Sequence, residues 1–441
     1  VRPGWAAWTV EAGFVPTTPG YAGTVLILGD VTLGLLGTGT LATDGIWTDI
    51  SPWVQEFSID RPGSRQQGPI VSYDAGTATV TLNNSDARFT PGNLAGPYVA
   101  AGVTQIRPMI PLRISATWNN ITYRLFTGYI STWLPPAEDM GPGYAITTVS
   151  ATDGQRILEG VQIPETAAVG GGELSGARVN RVLTAANWYG PGRGLRDIDT
   201  GQSTLQGTTY GASALSVIAG TVLSEIGEFY ISGAGVAVFR DRNAPLADTR
   251  SNTVQAVFGD RPGTGHPAGT EVAYVALSNP TDDTTLANDV QATADGPTFT
   301  GTMQEAIDAT SVATYTFART YEATVALQSD SEALQWANYV LYIGRNDETR
   351  FDELTLLPVA APDSLWLQAL GRELGDRVQV WRRPPGMASA LTQDVFIRGI
   401  YHTVTVDGWQ TVWTLSAATR YSFFTLGNTT LGVLGANALA Y

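Results

Sequence analysis

The stretch YRLFTGYISTW, Tyr123 to Trp133, sets aromatic and aliphatic side chains among small and polar ones around a central glycine. That spacing is the two-residue period of a half-buried β-strand. A second stretch of the same kind, DVFIRGIYHTV, runs from Asp394 to Val404. Phe126-Thr127-Gly128 can be laid over Ile397-Arg398-Gly399, and Val149-Ser150-Ala151 over Leu415-Ser416-Ala417. Working outward, WVQEFSID, AGTATVTLNN, PLRISATW and YAITTVSATD surround the first stretch. DELTLLPV, DRVQVWRR and WQTVWTLSAAT surround the second. Turn residues separate these runs, so each set reads as a small barrel or sandwich. The expected division is a first β-unit over residues 46–155 and a second over 351–420, a duplication of architecture.

Between them, residues 156–350 read as an α+β region. Val179, Val182 and Leu183 mark one face of a helix near 175–186. Leu215, Ile218, Val222 and Ile226 mark a second near 213–226, with Gly227 as its C-terminal cap. Ser329 and Glu332 have capping-box spacing ahead of a third helix near 331–343, whose core stripe is read as Leu334, Ala337 and Leu341. EFYISGAGVAVFRDRN reads as a hairpin turning at Gly233 to Gly235.

Outside the β-units lie two arms, residues 1–45 and 421–441. They carry nearly the same words: LGDVTLGLLGTGTLA from Leu28 to Ala42, and LGNTTLGVLGANALA from Leu426 to Ala440. Each is too glycine-rich for a stable helix and too short to fold alone, so each needs a host surface. Leu33, Leu35, Leu36, Leu431, Val433 and Leu434 are the expected apolar anchors on neighbouring subunits.

Composition removes several chemistries. The 441 residues contain no cysteine, and all 25 basic residues are arginine. No thiol nucleophile, thiolate metal site, Walker lysine or Schiff base can be built. The two histidines, His266 and His402, lack partners with catalytic or metal-ligand spacing. Glu138-Asp139 and Asp282-Asp283 are adjacent pairs in turn-like strings, and adjacency does not supply the separated carboxyl groups of a glycosidase. No enzymatic activity, cofactor or metal is expected. A net charge of −15 argues against a phosphate grip, with Arg61 and Arg65 the nearest thing to a basic pair. No run is long and apolar enough for a membrane span, and no signal peptide is expected at the N-terminus.

Several strings together resemble a known group. WTDISPWV, AGTATVTLNNSDARFTP, IRPMIPLRISA and LFTGYI resemble the opening barrel of actinobacteriophage (siphovirus) minor tail proteins. SALSVIAGTVLSEIGEFYISGAGVAVFRDRN and RGIYHTVTVDGWQTVWTLS resemble inner and closing parts of tail hub, or baseplate hub, proteins. The LGVLG arm resembles a signature of the same group. The resemblance implies a mainly β fold of two similar small β-barrels flanking a helix-containing centre. It implies a structural protein of the virion, placed at the tail tip and assembled in the host bacterial cytoplasm. Three copies would form a hub ring joining the tail tube to the tip. Its partners would be further copies of itself, a distal tail protein or tube ring, the tape measure protein and other tip proteins, with DNA only in transit. An alternative is a tail-tip receptor for cell-wall carbohydrate, with some of the 12 tryptophans as a sugar platform.

Overall fold

The computed structural model describes residues 3–14, 47–61, 69–100, 102–134, 145–188, 195–261, 271–280, 283–346 and 350–421. The first strands are β1 (Ala7–Ala12), β2 (Thr48–Asp49), β3 (Val54–Arg61), β4 (Thr77–Asn83), β5 (Pro111–Trp118), β6 (Ile121–Leu134) and β7 (Ile146–Asp153). Helices α1 (Ser175–Ala185) and α2 (Ala214–Glu225) follow, then the hairpin strands β8 (Glu228–Ile231) and β9 (Ala237–Arg240). Short strands β10 (Val257–Gly259), β11 (Glu271–Ala273) and β12 (Ala276–Ser278) precede a three-stranded sheet of β13 (Asp289–Ala294), β14 (Gln304–Ile307) and β15 (Thr320–Val325). The chain closes with α3 (Asp330–Gly344), β16 (Glu353–Leu356), α4 (Pro362–Gly371), β17 (Arg377–Arg382), β18 (Leu391–Val404) and β19 (Trp409–Ala417).

The fold is mainly β, and its two strand sets are hydrogen-bonded into one 14-stranded sheet. The order runs β11-β10-β17-β18-β3-β4-β7-β6-β5-β1-β2, with β12, β16 and β19 branching from β18. The seam is β18. Its first half pairs with β17 through Leu391–Phe396, and its second half pairs on β3, with Ile400 opposite Arg61 and Val404 opposite Phe57. Its other edge carries β19. A strand whose one edge serves two partners in turn must bend between them, and the register shift at Ile397/Gly399 on the β19 side lies at that point.

Packing follows the seam. The first core gathers Ile59, Val80, Leu112, Ile114, Ile130 and Val149 together with Trp366, Val404 and Trp409 from the C-terminal part of the chain. Trp366 meets Trp409 edge to face at 4.9 Å, and its indole N–H donates to Gly4 O at 2.9 Å. A second core surrounds Val378, Val380, Val395, Ile400 and Trp413. Separate cores underlie α3 with β13 and α1 and α2 with the hairpin.

Five sequence expectations need correction. Residues 7–12, assigned to an N-terminal arm, are a strand paired with β5 along its whole length, because Val10 and Ala12 alternate into the first core. Residues 257–259, 271–273 and 276–278, assigned to the centre, are strands of the main sheet, each too short for periodicity to mark. The triplet correspondence does not keep register. Ala151 lies opposite Ile130, two residues after Gly128, whereas Ala417 lies opposite Val395, four residues before Gly399. Alternating strands can be slid past one another in steps of two without breaking their pattern, so the sequence overlay was under-determined. In α3 the buried face is Ala333, Trp336, Ala337, Val340 and Ile343, while Leu334 is exposed. At the end of α2 the left-handed residue is Ile226, not Gly227, with the Gly227 N–H closing on Val222 O at 3.0 Å.

Candidate functional site

The two long strands are both touched by one element, the β8–β9 hairpin. Its turn lodges against β6 ahead of Gly128, where the pairing of β6 with β7 begins. There Thr127 Oγ1 donates to Gly233 O at 2.9 Å. A Cβ on Gly233 would stand 2.3 Å from Arg124 O and 2.9 Å from Leu125 O, so only glycine permits the approach. The base of the hairpin faces the bend of β18. Arg398 Nη1 donates to Glu228 Oε1 at 2.5 Å and to Tyr73 Oη at 3.3 Å, and Arg398 Nε donates to Ser416 Oγ at 2.8 Å. Tyr73 in turn donates to Glu228 Oε2 at 3.0 Å. Thr127 and Arg398, the middle residues of the two triplets, thus grip opposite ends of the same hairpin.

Around that base lies a cleft of about 280 Å³, walled by the hairpin, residues 244–251 and the 373–376 loop. Its carboxylates are matched by arginines. Asp197 pairs with Arg240, Glu373 with Arg61, and Asp376 with Arg250, whose Nε donates to Asp376 Oδ1 at 2.6 Å. Burial opposes the Arg398 charge, but Glu228 and Tyr73 outweigh it and hold the guanidinium above its ordinary value. Burial also raises the Asp376 carboxyl, against the pull of Arg250. The same cause drives the Tyr73 hydroxyl well up. A carboxylate fixed on an arginine is a poor nucleophile or base, so the arrangement serves to clamp the hairpin to the sheet.

Sequence reasoning missed the most buried acid of the central region. Glu225, at the end of α2, is fully buried and accepts from Ser175 Oγ at 2.7 Å, Ser203 N at 2.7 Å and Gln202 N at 3.0 Å. A glutamate inside a helical apolar face was the available signal. Of the basic pair, Arg61 is buried on Glu373, and Arg65 lies outside the described residues. His402 is buried, its Nδ1 3.0 Å from Thr411 Oγ1 and 3.4 Å from the Trp409 indole N–H. His266, Glu138, Asp139 and Asp282 lie outside the described residues, and Asp283 pairs with Arg319. Among the described residues no three of His, Asp or Glu converge as metal ligands would. Trp133, Trp409 and Trp413 are buried and offer no face to a sugar. Trp53 is half-buried with Arg88 stacked 3.9 Å over its ring. The expected arm anchors, Leu33, Leu35, Leu36, Leu431, Val433 and Leu434, all lie outside the described residues. Among the described residues no helix is long and apolar enough to cross a membrane.

No family model matches the chain, and no curated protein matches it in sequence. Solved structures do match. The 43 kDa tail protein of prophage MuSo2 from Shewanella oneidensis is 13% identical, with a TM-score of 0.54 over 94% of this chain and 99% of that one. The tail protein from Neisseria meningitidis MC58 is also 13% identical, with a TM-score of 0.56 over 93% of this chain and 96% of that one. Across almost their whole lengths, this chain and these two tail proteins share a fold.

Proposed function

We propose that this chain is a structural protein of a phage virion, a hub at the tip of a siphovirus tail. The observation that carries the reading is the fold shared with two tail proteins over at least 93% of all three chains. The sequence resemblance to actinobacteriophage tail hubs points the same way. Each strand set with its own core serves as one barrel. Three copies then make a ring of six barrels between the tail tube, the tape measure end and the tip, with a passage for DNA. The seam at β18 and β3 and the clamped hairpin suit this role, since both hold a chain's two barrels at a fixed angle. The chain's net charge of −15 suits a passage through which DNA moves without adhering. The Gly/Leu arms supply contacts between copies, and the role requires no catalysis.

Native mass spectrometry of the purified chain, with cryo-electron microscopy of the species found, tests this. A closed trimer with two barrels per chain around an open centre is the expected result. A chain that stays monomeric at high concentration, alone and with its tail-tube neighbour, overturns the ring.

A further inference from the structure

A slot of about 390 Å³ opens in the sheet between β1 and β3. Its walls include Trp8, Gln55, Phe57 and Val404. It exists because two adjacent edges diverge. On the edge away from β5, β1 meets β2 only at Glu11 and Ala12. Just before that, Val10 N donates to Ser51 Oγ at 2.8 Å and Val10 O accepts from Ile50 N at 2.9 Å. Backbone groups alternate sides along a strand, so the N–H and C=O of Trp8 point the same way as those of Val10, into the slot. The facing edge of β3 is taken by β18 only from Phe57 onward. The floor is aromatic, with Trp8 and Phe57 edge to face at 5.5 Å and Phe57 and Trp409 at 6.0 Å. Among the described residues no strand fills this edge above its apolar floor, the setting in which an extended peptide adds to a sheet.

We propose that this slot receives the Gly/Leu segment Leu426–Ala440 of a second copy of this chain as an added strand. The inference rests on the ring reading above. The segment has the required shape. In an extended TLGVLG, Leu431 and Val433 fall on one face, toward the aromatic floor, while Gly432 on the other face lets the neighbouring strands close in. It has the required charge as well. Residues 422–441 contain no charged side chain in a molecule of net charge −15, so they approach an identical copy without like-charge repulsion. The described chain ends near the start of β18, away from the slot. Tyr421 packs on Phe396, near the start of β18, at a ring distance of 5.7 Å. The slot adjoins Val404, the last residue of β18, roughly 26 Å further along. Both edges of β18 are occupied, by β17 and β3 on one side and β19 on the other, so the segment cannot return along its own β18 as a strand. Extended, residues 422–441 span up to about 66 Å, enough to enter a neighbour's slot.

The absence of cysteine makes the test direct. Gln55→Cys is placed in one preparation and Thr430→Cys in another, with Asn428→Cys and Ala436→Cys covering other registers. The preparations are mixed and oxidised gently, while native mass spectrometry reports the assembly state in parallel. A disulfide-linked pair of chains is expected, reduced at least tenfold when Leu431→Asp and Val433→Asp are added to the arm. Trimers without any such link overturn the slot assignment and leave the ring standing. A double variant that links only within one chain overturns the second copy as source. A monomer without links overturns both readings.

Discussion

Asp153 and His402 are buried titratable groups that share Arg61 as a charged neighbour and respond to pH in opposite senses. Asp153 ends β7, where it accepts from Gly76 N at 2.7 Å and Gln155 N at 2.9 Å. Burial nevertheless lifts its carboxyl to about 7. Burial lowers His402 to about 3. Between about pH 4 and 6.5 the folded chain holds a proton on Asp153 that the unfolded chain releases, so this group makes stability fall as pH rises. Over the same window the unfolded chain holds a proton on the histidine that the folded chain refuses, so His402 makes stability rise. One proton corresponds to at most about 1.4 kcal/mol per pH unit, so the two slopes largely cancel in the intact protein. His402→Gln should therefore tilt the stability curve downward with pH relative to the parent, and Asp153→Ala should tilt it upward. Urea unfolding followed by tryptophan fluorescence across this window measures both tilts. Curves that stay parallel to the parent would show that neither group is buried as described.

At the scale of elements, the β8–β9 hairpin shows what could be read in the sequence and what could not. Its strands and turn were legible because YISGAGVAV states alternation and glycine locally, and Gly235, with φ of 82°, takes the left-handed turn position. Gly233 looks like part of the same turn signal. Its actual constraint is the backbone of β6, 106 residues away from it at Thr127. Local pattern carries no trace of such a contact. The cap of α3 was legible for the same reason as the turn, since Ser329 Oγ accepts from Glu332 N at 3.3 Å within one helical turn. The stripe of α3 was misread because leucine outranks alanine and tryptophan as a core marker, yet Ala333 and Trp336 are what the sheet accommodates. The ion-paired cleft was not legible at all, because its partners Arg398 and Glu228 lie 170 positions apart. Gly233→Ala tests the wedge directly. The new methyl group should destabilise the fold by about 1–3 kcal/mol, as overpacking does. Gly235→Ala strains the left-handed turn position. Thermal unfolding compared between the two variants decides the matter, provided that hydrogen exchange is followed at β6. Loss of protection at Arg124 and Leu125 is expected for Gly233→Ala alone, and equal protection in both variants would rule out the wedge.

For the whole molecule the consequential feature is that its two strand sets share a sheet and part of a core. Two separate barrels on a linker would unfold independently and could reorient, whereas a continuous ladder through β18 and β3 makes each set a support for the other. Val404 and Trp409, supplied by the second set, complete the first core, so losing the seam costs the first set apolar burial as well as hydrogen bonds. This coupling predicts a contrast between two proline variants of the same strand. His402 stands opposite Ile59 of β3, and Gln393 stands opposite Val380 of β17, each with its amide directed at that partner. Proline at either position removes a backbone donor and strains the ladder, at a cost of about 3 kcal/mol or more. Only His402→Pro cuts the seam. Differential scanning calorimetry should show a single transition for the parent and for Gln393→Pro, at a lower temperature in the variant. His402→Pro should give two resolved transitions, the earlier one accompanied by exposure of Trp409 to a fluorescence quencher. If both variants melt as one unit, the seam is not what joins the halves. The fixed angle between them would then have to come from the clamped hairpin, where Arg398 and Thr127 hold the opposite ends.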